Sequence, residues 1–256
     1  QFQDWTEDGR LRAPVFLRLR DDLDPRQVGR RLFAKDPSLW SPDAAVQESI
    51  RRRLGWLDGI ERFRERIGDI TAFADQVREE GVTHVVLLGM GGSSLSAEVC
   101  REMFGGTRDW PDLLVLSSTD PAAVREVERR IDPGNTLFIV ATKSGTTIET
   151  LSFYRQFWEK AREALGKAPG HHFIAITDPG TPLAKEADTH GFRRCFANPA
   201  DIGGRYSALS YFGLVPMALL GLDLAGLLDR ALLMQRSRGP FVPAGVNPGL
   251  HLGALL

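Results

Sequence analysis

The feature that most restricts the fold is a rhythm that starts near residue 81. Short apolar runs recur at His84–Gly89, Leu113–Leu116, Leu137–Val140, His172–Thr177 and Arg194–Ala197. Each is too short for a stable helix, and most are rich in β-branched or aromatic residues, so each predicts a strand. Between them lie helical stretches near Ser96–Phe104, Pro121–Ile131 and Pro182–Thr189. A further helix is marked by Ile148, Leu151, Tyr154, Phe157 and Trp158 at helical spacing. The runs lack a polar residue at every second position, so the strands are apolar on both faces. That pattern belongs to a parallel sheet covered by helices on both sides. Its crossovers should be right-handed, and ligands should bind beyond the carboxyl ends of its strands. The predicted class is α/β, a five-stranded parallel sheet flanked by helices, with further helices N-terminal to it.

Those upstream helices read less cleanly. Val15–Arg20 alternates enough for a short strand, Asp24-Pro25 opens a helix through Leu32, and Asp36–Trp40 reads as a turn. From Asp43 to Glu79 the spacing is helical, with breaks expected at Gly55, Gly59 and Gly68. The run Arg51-Arg52-Arg53 is read as a solvated helix face rather than a nucleic-acid contact, since Asp58, Glu61 and Glu65 follow it. The chain starts at Gln1 without a methionine and stops at Gly253-Ala254-Leu255-Leu256, within an apolar helical stretch. We therefore expect a piece of a longer protein, with residues 1–42 an N-terminal segment or linker and residues 43–256 one domain.

Three polar stretches fall at the rim where the strands end. Ala141–Thr150 joins the third strand to its helix. Thr142, Ser144, Thr146 and Thr147 bring hydroxyls, Lys143 a cation and Gly145 flexibility. Free N–H groups at a helix start, with hydroxyls and a cation, suit an anion such as phosphate. The plainer alternative is a Ser/Thr-rich capping turn. The Walker spacing is absent. After the first strand comes Gly89-Met90-Gly91-Gly92-Ser93-Ser94. Its glycines let a ligand lie against backbone, or else make only a tight turn. The third glycine of a dinucleotide fingerprint is missing, as is an acidic ribose partner after Leu116, so no nicotinamide or flavin is expected. After the fifth strand, Gly203-Gly204-Arg205-Tyr206-Ser207 aims one permanent cation from a close-packed backbone. Such a guanidinium suits developing negative charge on oxygen, unless a nearby carboxylate occupies it.

Charge sharpens this. Net charge is −1, so any anion site must be local, and nothing global points to nucleic acid or an acidic membrane. Cys100 and Cys195 have no metal or redox spacing and read as buried thiols of a cytoplasmic protein. No apolar stretch approaches membrane-spanning length and no signal peptide is visible.

Taken together, Gly89–Ser93, Thr142–Thr150 and Gly203–Ser207 resemble the glucose-6-phosphate isomerase family in order and spacing, over about residues 45–256. The Gly-Gly-Arg-Tyr-Ser motif is quite specific to it. The first forty residues match weakly, although Leu32–Trp40 with Gly55-Trp56-Leu57-Asp58 resembles the bacterial form in which the isomerase follows a transaldolase. The resemblance implies two sugar-isomerase (SIS) domains, of which the first is present here and the second absent. It implies that Gly92, Ser93, Thr142, Lys143, Ser144, Gly145, Thr146 and Thr147 hold the sugar phosphate, and that Arg205 stabilises an enediolate. Ser144 stands where many relatives have threonine and Gly145 where they have a bulky residue; the hydroxyl is kept. The Val246–Gly253 stretch resembles the helix before the second domain, which in the family carries the general base and the ring-opening histidine and lysine. None of the five histidines here matches that histidine.

The expectation is an aldose–ketose isomerase half, serving glucose 6-phosphate and fructose 6-phosphate in the intact protein and inactive alone. No cofactor or metal is expected, and the intact protein is expected to be a homodimer. The rival is a non-catalytic phosphosugar-binding SIS module, which would have no enediolate for Arg205 to stabilise.

Overall fold

The computed structural model describes residues 25–166 and 169–255. The expected strand at Val15–Arg20 lies outside them. The first helices are α1 (Pro25–Phe33), α2 (Ala44–Arg51), α3 (Gly59–Arg64) and α4 (Ile67–Glu79). Then β1 (His84–Gly89), α5 (Leu95–Phe104), β2 (Asp112–Leu116), α6 (Pro121–Arg130), β3 (Thr136–Ala141) and α7 (Ile148–Leu165) follow. The rest are β4 (Phe173–Thr177), α8 (Pro182–Thr189), β5 (Arg194–Ala197), α9 (Tyr211–Leu219), α10 (Leu224–Ser237) and α11 (Pro248–Leu255). Sequence rhythm thus locates all five strands. The upstream helical stretch divides close to Gly55, Gly59 and Gly68: a short turn begins at Gly55, α3 at Gly59 and α4 at Ile67. One expectation is corrected. His172 belongs to the turn before β4 rather than to the strand.

All pairings are parallel, in the order β2-β1-β3-β4-β5. Alternate residues of each strand feed opposite layers. Val85, Leu87, Leu137, Ile139, Ile174 and Ile176 pack with α3, α4, α9 and α10. Val86, Leu88, Phe138, Val140, Phe173 and Ala175 pack with α6, α7 and α8. That explains the unbroken apolar runs: neither face is free for polar side chains. Ala97 of α5 joins the first layer, whereas α6 to α8 lie on the second. A change of face is what a constant crossover hand requires when the direction of winding reverses.

The reversal falls between β1 and β3, which pair directly up to Gly89 and Ala141 at their carboxyl ends. In an open sheet of this order, that switch point is where a crevice opens for a ligand. At the other end of the sheet, His84 and His172 sit beside the strand starts, bonded to Thr83 Oγ1 at 2.9 Å and the Thr136 carbonyl at 3.1 Å. His190 bonds Tyr154 Oη at 2.6 Å and stacks on Trp158. The arginine run is exposed, with Arg51 and Arg52 paired to Glu48. Cys100 and Cys195 are free and half-buried rather than fully buried, and burial pushes both thiols up. Among the described residues, no helix is long and apolar enough to cross a membrane.

Candidate functional site

The crevice is bounded by the turns after β1, β3 and β5. After β1 the chain makes one tight turn, with Gly91 at φ +55°. At Gly92 an added Cβ would stand 2.4 Å from the Gly204 carbonyl oxygen. The two Gly-Gly motifs are therefore in backbone contact, which no side chain would permit. Ser207, almost fully buried, clamps them: its hydroxyl reaches the carbonyl oxygens of Gly92 at 3.1 Å and Gly204 at 2.6 Å. The Ser93 hydroxyl makes no hydrogen bond among the described residues.

After β3, the loop is shaped by its own hydroxyls. Thr142 is buried and donates its N–H to the Ile176 carbonyl at 3.1 Å. The Thr142 and Thr147 hydroxyls are 2.8 Å apart, as are those of Ser144 and Thr146. Gly145 lies at φ +68°, with an added Cβ 2.7 Å from Thr181 Cβ, so the loop has no room for a side chain there. No side chain caps α7: Thr147 occupies the cap position, but its hydroxyl is turned to Thr142. The capping-turn alternative therefore does not describe this loop. What remains is the exposed pair Ser144 and Thr146 beside the open start of an 18-residue helix, a positive dipole end with unpaired N–H groups. The start of α5 likewise lacks a side-chain cap.

Lys143 stands apart from the other loop residues. Its ammonium is paired with the Asp178 carboxylate and donates to the Ala200 carbonyl at 2.8 Å. Burial raises the Asp178 carboxyl above its ordinary range, the Lys143 ammonium opposes that, and the Asp201 charge adds to it.

Arg205 lies in the single turn Gly204–Tyr206 and is exposed, with no carboxylate partner among the described residues. Its flanks are held instead. Tyr206 stacks on Trp56, ring centroids 5.1 Å apart. Asp201 accepts two hydrogen bonds from Arg62, at 3.0 and 3.1 Å, and its carbonyl accepts the Gly55 N–H at 2.9 Å. Residues 54–62 thus brace the segment that carries the arginine. Sequence reasoning singled out Gly92, Ser93, Thr142, Lys143, Ser144, Gly145, Thr146, Thr147 and Arg205; their turns meet at one rim, where the Lys143 ammonium is bound to protein groups. It missed Trp56, Arg62, Asp178 and Asp201, whose support depends on contacts distant in sequence.

An anion seated at this rim would meet a dipole end, the exposed hydroxyls of Ser144 and Thr146 and, on the adjoining turn, a guanidinium with no carboxylate partner among the described residues. The family model for phosphoglucose isomerase matches residues 47–238. A glucose-6-phosphate isomerase of Thermus thermophilus is 32% identical over 216 residues, covering 79% of this chain and 50% of its own. One from Rubrobacter xylanophilus is 31% identical, covering 88% and 54%. The crystal structure of a hypothetical protein of Thermus thermophilus superposes with a TM-score of 0.74 at 31% identity, covering 89% of this chain and 50% of that one. The chain spans about half the length of these curated relatives.

Proposed function

Because this chain belongs to the phosphoglucose isomerase family, we propose that the intact protein interconverts glucose 6-phosphate and fructose 6-phosphate. This part would hold the phosphate and supply the enediolate's cation. The observation that carries the reading is the contact of Gly92 with Gly204, clamped by Ser207. In this reading it keeps the exposed Arg205 turn beside the loop that takes the anion.

Aldose–ketose exchange moves a proton between C1 and C2, and the oxygen there gains charge as the proton leaves. In this reading, Ser93, Ser144, Thr146, Thr147 and the open end of α7 take the phosphate, which does not react. Thr142, Gly145 and Gly92 shape that cradle. The planar cation of Arg205 meets the oxygen charge as it develops. The transfer also needs a positioned base. Of the carboxylates at this rim, Asp178 and Asp201, which adjoin the Lys143 and Arg205 segments, each already hold a cation. We assign the base to the part of the intact protein outside this chain. Residues 43–256 are then a first SIS domain, and residues 1–42 a linker segment. Homodimerisation, a cytoplasmic location and attachment to a transaldolase belong to the same proposal.

The test is Arg205→Ala in the intact protein. Loss of one oxyanion partner should lower kcat by roughly two to three orders of magnitude, with KM changed far less. Arg205→Lys should recover only part of it, a point charge replacing a fork. An unchanged kcat would remove Arg205 from the mechanism and favour a phosphosugar-binding module without catalysis.

A further inference from the structure

We infer that Lys143 is a positioning residue: its ammonium ties the hydroxyl-rich loop to the segment carrying Arg205, fixing the separation between cradle and arginine. The inference rests on the reaction proposed above. A cation in a phosphate loop is expected to face the phosphate. This one faces the protein. Of the three protons an ammonium offers, one goes to the Asp178 carboxylate and one to the Ala200 carbonyl, 2.8 Å away. Ala200 adjoins Asp201, which Arg62 and Gly55 hold from the other side. The Lys143 backbone is held as well, its carbonyl accepting the Asp178 N–H at 3.2 Å and the Thr177 hydroxyl at 3.4 Å.

Three loop segments thus converge on one side chain: the turn after β3, the end of β4 and the turn after β5. The second oxygen of the Asp178 carboxylate is buried without a hydrogen-bond partner. Removing the ammonium would leave a largely buried charge uncompensated, so the bridge resists opening. A small shift of the Ala200–Arg205 segment would move the guanidinium away from the developing charge, and such misplacement lowers the rate of the chemical step. The phosphate, held by hydroxyls and N–H groups, would be affected less.

The test uses the intact protein with glucose 6-phosphate as substrate. Lys143→Met and the nearly isosteric Asp178→Asn should each lower kcat roughly tenfold while KM stays within about threefold. Competitive inhibition by inorganic phosphate should also stay within about threefold. The double variant should be no worse than the poorer single one, since both break one link. Lys143→Arg, which keeps a cation on Asp178, should recover most of the rate. Amide exchange at residues 200–207 should quicken in both single variants. Should Lys143→Met fail to fold, Asp178→Asn and Lys143→Arg carry the test. The inference is overturned if Lys143→Met weakens phosphate inhibition roughly tenfold or more with kcat kept, while Asp178→Asn does neither, since that is a direct ligand's signature. Wild-type protein without isomerase activity would instead sink the proposed reaction. Amide exchange then decides alone, and unchanged protection at residues 200–207 refutes the tie.

Discussion

The helices that follow the first four strands start in two ways. α6 and α8 close their own N-termini: Asp120 accepts from the Ala122 N–H at 2.6 Å, and Thr181 from the Ala184 N–H at 3.2 Å. α5 and α7 do not, although Ser94 and Thr147 at their cap positions are good capping residues. Ser94 gives its hydroxyl to the Gly91 carbonyl and Thr147 turns to Thr142. The open pair follows β1 and β3, on either side of the switch point; the closed pair follows the strands next to them. A missing cap forgoes about 1 kcal/mol. Two omissions at the one place where topology opens a crevice fit a chain that leaves those groups for a ligand.

The contrast can be broken most severely at Gly92. Gly92→Ala drives a methyl into the Gly204 backbone, where neither side is a flexible chain end. We expect about 3 kcal/mol of lost stability in thermal denaturation, and loss of isomerase activity in the intact protein. Gly106→Ala, whose nearest atom would be 3.7 Å away, is the tolerated control. Next comes closing the open end. Thr147→Asp places a carboxylate on the start of α7, which should gain about 0.5 kcal/mol of helix stability. The same charge should raise KM for the sugar phosphate on the order of a hundredfold through like-charge repulsion. A KM that stayed put would mean that no anion docks at α7. Ser144→Ala is milder: one hydroxyl lost to a charged ligand should raise KM about tenfold with kcat nearly kept. The smallest effect comes from opening a closed end. Asp120→Ala should cost about 1 kcal/mol of stability and leave both kinetic constants alone.

The strands were legible because a parallel sheet buries both faces, which leaves short, unbroken apolar runs. β1, α8 and β5 have the bounds that the sequence predicts. α9 had no such signature. All nine of its residues are buried, so it is apolar all round and shows no phase for periodicity to detect. The loops were legible in place, since glycines and hydroxyls cluster in the sequence where the strands end. Their partners were not. Nothing near Lys143 in sequence points to Asp178, 35 residues on, and nothing near Arg62 points to Asp201, 139 residues on. A charged residue's type tells what it can bind, and only the fold tells whether something has already claimed it.

The clamp between Ser207 and Gly92 joins residues 115 apart in sequence. One lies after the first strand and the other after the last, so every crossover between them must be wound before the two meet. Closing so long a loop costs entropy early, and parallel sheets of non-local pairs form slowly. A nascent chain leaving the ribosome N-terminus first therefore carries its glycine turn long before the other half of the cradle exists. A sugar phosphate that binds only the closed cradle has no grip on such intermediates and stabilises the completed sheet by mass action. If the proposed reaction holds, substrate would be a late-acting folding partner for this fold, its concentration helping to decide how long the finished sheet stays closed.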